Sequence, residues 1–208
     1  MISVSYIKSK LNTIDTIKKI DESIADQIHV DLIDGIYCGN NNFQIDEVVS
    51  MLKDVSKPLD IHLMVKNPEY YLDKLFLLNP KCITIHINST SNIKDVFMNI
   101  KNHNIKVGIA INPNEDIKLI DDYIDMIDYV LIMGVYPGEG GQEFIPSVID
   151  KVKYLEKYNV LVGIDGGING DTIKSLKDLK IDNIVSGSFV CMSDNYNDKI
   201  TILQNYKI

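Results

Sequence analysis

Short β-branched runs alternate with stretches of helical periodicity from one end of the chain to the other, eight times over. Residues 2–6, 27–31, 59–64, 82–86, 107–111, 129–133, 161–165 and 183–186 read as strands. Ile14, Ile17, Ile20 and Ile24 mark one face of a first helix, and Val48, Val49, Leu52 and Val55 suit a second. Asn67-Pro68-Glu69 reads as an N-cap, an N1 proline and an acidic first turn. Further helices are expected near 92–102 and 116–124, along Val148, Val152 and Leu155, along Ile173, Leu176 and Leu179, and near 196–206. Eight such units in 208 residues predict an α/β fold, a single (β/α)8 TIM barrel spanning 1–208 as one domain. An open doubly wound sheet would want a Gly-x-Gly-x-x-Gly turn after the first strand, where the chain has Ile7-Lys8-Ser9-Lys10. No linker, low-complexity tract or close internal repeat interrupts the alternation.

Composition narrows the partners. The 21 basic and 29 acidic residues give a net charge of −8, which disfavours nucleic acid and anionic membranes. All the basic residues are lysines. Without arginine no bidentate guanidinium clamp can form, so a phosphorylated ligand has to be held mainly by backbone N–H groups at glycine turns and helix N-termini. No apolar run approaches the roughly 18 residues that would span a bilayer, and the first residues lack the features of a signal peptide. Cys38, Cys82 and Cys191 are odd in number and scattered, which suits a reducing compartment and a cytoplasmic protein. The pattern leaves the oligomeric state open, a homo-oligomer included.

Barrel enzymes carry their chemistry at the C-terminal ends of the strands, and polar residues cluster there in this chain. His29 and Asp31 are two apart on one strand and so share a face. The third strand contributes His62 and the seventh Asp165. Two imidazoles and two carboxylates are a reasonable ligand set for one divalent metal, Zn²⁺ first, with Fe²⁺, Mn²⁺ or Co²⁺ as alternatives. His86 also ends a strand and is expected to border the pocket without ligating; His103 falls in a helix-to-strand connection. Cys38 lacks a basic activator and reads as inert. Glycine turns follow three late strands: Gly138, Gly140 and Gly141 with Glu139 between Pro137 and Gln142, then Gly166 and Gly167, then Gly187 with Ser188. The last two turns occupy the corner where such barrels often hold phosphate. The first is expected to close as a lid.

Four segments resemble one family. His29 to Gly35, Leu59 to Val65, Pro137 to Pro146, and Asp165 to Ile168 with Gly187-Ser188 are similar, in order and in content, to those of ribulose-phosphate 3-epimerases. The resemblance implies a metal-dependent epimerisation at C3 of a ketose phosphate. It implies that His29, Asp31, His62 and Asp165 bind the metal and that Asp31 and Asp165 are the acid/base pair. Ser5 would touch substrate, and Met64 and Met133 would line the pocket beneath the reacting carbons; His62, Glu139 and the glycine turns complete the implied contacts. Two carboxylates also suit the chemistry itself, since inverting a carbon needs a proton taken from one face and another returned to the opposite one. The chain departs from the family at Val4, Ile33, Glu139 and the loop 36–44. Those departures leave open a hexulose phosphate such as allulose 6-phosphate as substrate; a non-catalytic sugar-phosphate-binding barrel is the alternative from another class, and it would be free to lose a carboxylate where this chain keeps both.

Overall fold

The computed structural model describes residues 1–39 and 41–206; Asn40 of the loop 36–44 and the last two residues of the expected 1–208 barrel lie outside them. Eight strands form a closed parallel barrel in sequence order: β1 (Ile2–Ser5), β2 (Gln27–Ile33), β3 (Leu59–Met64), β4 (Cys82–His86), β5 (Lys106–Ile111), β6 (Tyr129–Met133), β7 (Leu161–Asp165) and β8 (Asn183–Ser186). These strands are rich in Ile, Val and Leu and buried on both faces, as a parallel sheet covered by helices requires.

Around them lie α1 (Thr13–Asp21), α2 (Ile45–Leu52), α3 (Leu72–Phe76), α4 (Ile93–Asn102), α5 (Ile149–Leu155), α6 (Ser188–Cys191) and α7 (Tyr196–Asn205). The side chain of Asn12 accepts the N–H of Asp15 and starts α1. The helix buries Thr16, Ile17 and Ile20, whereas Ile14 and Ile24 of the expected stripe are exposed and Ile24 falls beyond its end. Val55 likewise lies past α2. Asn67 makes no side-chain cap; it adopts a left-handed φ of 53° ahead of a 3₁₀ turn at Pro68–Tyr70. The segments Ile117–Met126 and Thr172–Leu176 are 3₁₀ rather than α-helical, and Leu179 lies past the second. Apolar residues three apart satisfy either helix, so the pattern could not choose between them.

The main core fills the space between the barrel and its helices. Inside the barrel, Cys82, Ala110, Tyr129, Leu131, Met133 and Val185 pack together. Gly163 makes room there, because a Cβ on it would collide with the Tyr129 ring. Beside that cluster the interior is polar: Ser3, Gln27, Asp60 and Asn183 are all buried and bonded to one another, and Asn183 Nδ2 donates to the Tyr129 hydroxyl. Among the described residues no helix is long and apolar enough to cross a membrane.

Candidate active site

Strand register decides which side chains meet. β2 and β3 pair so that Asp31 stands beside His62 and His29 beside Asp60, while β1 places Ser5 beside His29. β7 brings Asp165 to the same end of the barrel. One ligand atom from each of His29, Asp31, His62 and Asp165 lies within 4.8 Å of all the others. His29 Nε2 is 3.3 Å from Asp31 Oδ1 and 3.7 Å from Asp165 Oδ2. His62 Nδ1 is 3.1 Å and 3.7 Å from the same two oxygens. A tetrahedral ion with bonds of about 2.0–2.1 Å has ligand–ligand edges of about 3.3 Å, so these separations suit one divalent cation. The buried Nε2 of His29 has no hydrogen-bond partner, and it faces the two carboxylates. A donor left unpaired among two oxygens and a second nitrogen fits an ion better than it fits a closed hydrogen-bond network.

The electrostatics of the set are uneven. Burial tends to raise the Asp31 carboxyl, but His29 and His62 outweigh it and hold the group well below the usual carboxylate range. Asp165 moves the other way, raised to about 6 by burial and by the nearby Asp31 charge. Burial opposes a charge on His29, yet the carboxylates of Asp31 and Asp60 prevail and raise it well above the ordinary imidazole range.

One neighbour escaped sequence reasoning and a second stands elsewhere than expected. Asp60 Oδ2 lies 2.9 Å from His29 Nδ1, giving the ring an anionic anchor behind the site. Its signal was in the sequence, since Asp60 sits in a strand two residues before His62, but only the register shows which ring it meets. His86 does not border the cavity as expected. It is fully buried behind His62, with the two Nε2 atoms 2.9 Å apart. Burial and the adjacent His62 push its pKa well below the ordinary value. His103 caps the C-terminal end of α4, in the connection to β5, and stacks on Phe76.

A cavity opens in front of the set. Asp31 and Asp165 both line it, together with Ser5, Met64, Met133, Gly138, Glu139, Gly140, Gly141, Gly166, Gly167, Gly187 and Ser188. His62, counted among the substrate contacts by resemblance, is fully buried and does not line it. Ser5 Oγ donates to Asp31 Oδ2 at 2.5 Å. Gly166 and Gly167 turn with φ of 105° and 70°, and a Cβ on Gly167 would come within 2.5 Å of the Phe144 backbone nitrogen. Cys38 is half-buried, and burial followed by the charges of Asp34 and Asp31 pushes its thiol up to about 11.

The comparisons with known proteins agree with this geometry. The model of the ribulose-phosphate 3 epimerase family matches residues 2–191. The chain belongs to that family. It is thereby an isomerase of the ribulose-phosphate 3-epimerase type. It is 32% identical over 207 residues to a ribulose-phosphate 3-epimerase of Buchnera aphidicola, covering 95% of this chain and 91% of that one. With a ribulose-phosphate 3-epimerase of Helicobacter pylori it shares 35% over 193 residues, 89% of this chain and 88% of the other. Among solved structures, 3-hexulose-6-phosphate synthase from Salmonella typhimurium superposes with a TM-score of 0.76 over 99% of this chain and 97% of that one. At 14% identity that likeness is one of fold alone.

Proposed function

We propose that the chain interconverts D-ribulose 5-phosphate and D-xylulose 5-phosphate, as in the pentose phosphate pathway, with Asp31 and Asp165 as the two acid/base groups. One observation carries the reading: two carboxylates of unlike proton affinity face a single cavity whose other wall is the glycine corner. His29, Asp31, His62 and Asp165 would hold the divalent ion, Zn²⁺ in the first instance. Such an ion supplies positive charge for the oxygens at C2 and C3 as the carbon acid loses its proton.

The chain's own groups do the rest. Asp31 Oδ1 faces the two histidines while Oδ2, held by the Ser5 hydroxyl, is the oxygen left to exchange a proton with carbon. Asp165, at the end of a strand on another side of the barrel mouth, reaches the opposite face of C3. One carboxylate takes the proton and leaves a planar enediolate; the other returns a proton from across the plane. Met64 and Met133 give the reacting carbons an apolar wall that offers no competing proton. Gly166, Gly167, Gly187 and Ser188 let the backbone approach a phosphate closely where no arginine is present. Gly138 to Gln142 closes the cavity against water.

The test is a coupled assay on protein reconstituted with Zn²⁺, offering D-ribulose 5-phosphate and D-allulose 6-phosphate in parallel. Higher kcat/KM for the pentulose is expected. A preference for the hexulose would reassign the substrate, and turnover of neither would end the proposal.

A further inference from the structure

We propose that His86 is a positioning residue for the ion-binding set, accepting the Nε2–H of His62 and so fixing the ring that presents Nδ1 to the ion. This rests on the reading of the four-residue set as a metal site. His62 turns Nδ1 toward Asp31 Oδ1 at 3.1 Å and Asp165 Oδ2 at 3.7 Å, which leaves Nε2 pointing the other way. A histidine that gives one ring nitrogen to a cation carries its proton on the other, and that N–H needs an acceptor. His62 is fully buried, and the atom within reach is His86 Nε2 at 2.9 Å.

Ligating histidines commonly donate to a carboxylate, a backbone carbonyl or water. His29 follows that pattern through Asp60. His62 does not, because its partner is a second imidazole. The two ligands are therefore unequal: an anionic partner makes His29 the stronger electron donor, and a neutral one leaves His62 the weaker.

His86 is itself held from both ends. Its backbone carbonyl accepts from Ser89 N at 3.0 Å and from Ser89 Oγ at 2.7 Å. Its ring packs against Tyr37 with centroids 4.7 Å apart, and the Tyr37 hydroxyl accepts from Asn112 Nδ2 at 3.0 Å. Loops after β2 and β5 thus clamp a ring on β4 that orients a ligand on β3. Neither His86 nor Tyr37 lines the cavity, so neither meets substrate directly.

The experiment titrates metal-free wild-type, His86→Phe and His86→Gln proteins with Co²⁺ against a chelating dye, recording affinity and the d–d absorption bands. Phenylalanine keeps a ring of similar size but cannot accept; glutamine restores an acceptor. His86→Phe is expected to bind Co²⁺ about 10–100-fold more weakly, with altered d–d bands. His86→Gln should recover most of the affinity, and circular dichroism should show all three metal-free proteins folded. Unchanged affinity in His86→Phe would overturn the proposal, as would an equal loss in His86→Gln, which reports mere packing. If wild type binds no Co²⁺, the metal reading fails and this one with it; if wild type binds and His86→Phe binds equally, only this one fails. Should His86→Phe not fold, Tyr37→Leu, which removes the ring seated on His86, must weaken Co²⁺ binding severalfold or the idea is wrong.

Discussion

Asp31 and Asp165 are the same functional group in two surroundings, and their surroundings set their work. Asp31 lies between two histidines and a serine hydroxyl, so it is held ionised. Asp165 is 3.7 Å from both rings and close to the Asp31 charge, so it retains a proton up to about pH 6 when no ion is bound. Replacing either by asparagine keeps an oxygen that can ligate but removes the group that carries the proton. With metal content verified by elemental analysis, each variant should lose epimerisation by roughly 10²–10⁴-fold, the usual worth of a positioned acid or base. The remaining carboxylate should still exchange the C3 proton of one epimer with solvent deuterium, read by proton NMR. Near wild-type turnover by metallated Asp165→Asn would exclude the two-base mechanism. The same residues make ion binding depend on pH. A ligand nitrogen must be unprotonated, and His29 is raised well above the ordinary imidazole range in the ion-free protein. Ion uptake near pH 7 should therefore release the His29 proton, and below about pH 6 the Asp165 proton as well, so that affinity falls more steeply as the pH drops through 6. Calorimetry in buffers of different ionisation enthalpy counts these protons; no release at either pH would contradict the assignment.

At the scale of elements, the loops after β1, β2 and β6 meet above the cavity. Gly138 lies so close to Gly39 that a Cβ on Gly39 would fall 2.9 Å from its Cα. Lys8 Nζ donates to the Gly140 carbonyl at 3.3 Å, and Gln142 Nε2 bridges the carbonyls of Tyr136 and Glu139 at 2.7 and 2.9 Å. Gly138 and Gly141 hold positive φ, of 120° and 83°, which other residues adopt only with strain. Such a loop is tied by a few exposed hydrogen bonds and can open at little cost. A phosphorylated substrate analogue should therefore protect residues 138–142 from limited proteolysis, by about the ratio of analogue to its Kd. Equal cleavage with and without the analogue would count against a lid.

For the molecule as a whole, closure of the barrel gathers acidic groups that the rest of the fold must tolerate. Asp31, Asp60 and Asp165 converge on His29 and His62 in a protein whose net charge is already −8. An ion bound there offsets part of that repulsion and links strands β2, β3 and β7, so it should stabilise the folded chain by mass action. At a free-ion concentration a thousandfold above its Kd, the gain is about 4 kcal/mol. For a chain of this size that corresponds to a rise in melting temperature on the order of 10 °C. Differential scanning calorimetry with and without a chelator measures it, and His62→Ala should abolish the difference. A melting temperature indifferent to chelation in the wild type would place the ion elsewhere or nowhere.

The alternation of apolar runs and helical stripes along the chain was enough to set out eight strands and to exclude an open nucleotide-binding sheet. Seven strands lie within one residue of where the pattern puts them, and β2, which runs two residues further, is the exception, because a strand buried on both faces reads as a largely apolar run. The pattern also located His29, Asp31, His62 and Asp165 at strand ends, since the fold gathers its functional groups there. What it could not supply was anything that depends on a neighbour from another strand. Which ring Asp60 anchors, that His86 stands behind His62 and not beside the cavity, and that Tyr37 seals it are all matters of register and closure. The same holds for the choice between α and 3₁₀ at Ile117–Met126 and Thr172–Leu176, where tertiary packing settles between two helices that the same apolar spacing permits. Local pattern sets what a segment is. Only the closed barrel sets what each side chain touches, because those contacts join residues as distant in sequence as Ser3 and Asn183, 180 positions apart.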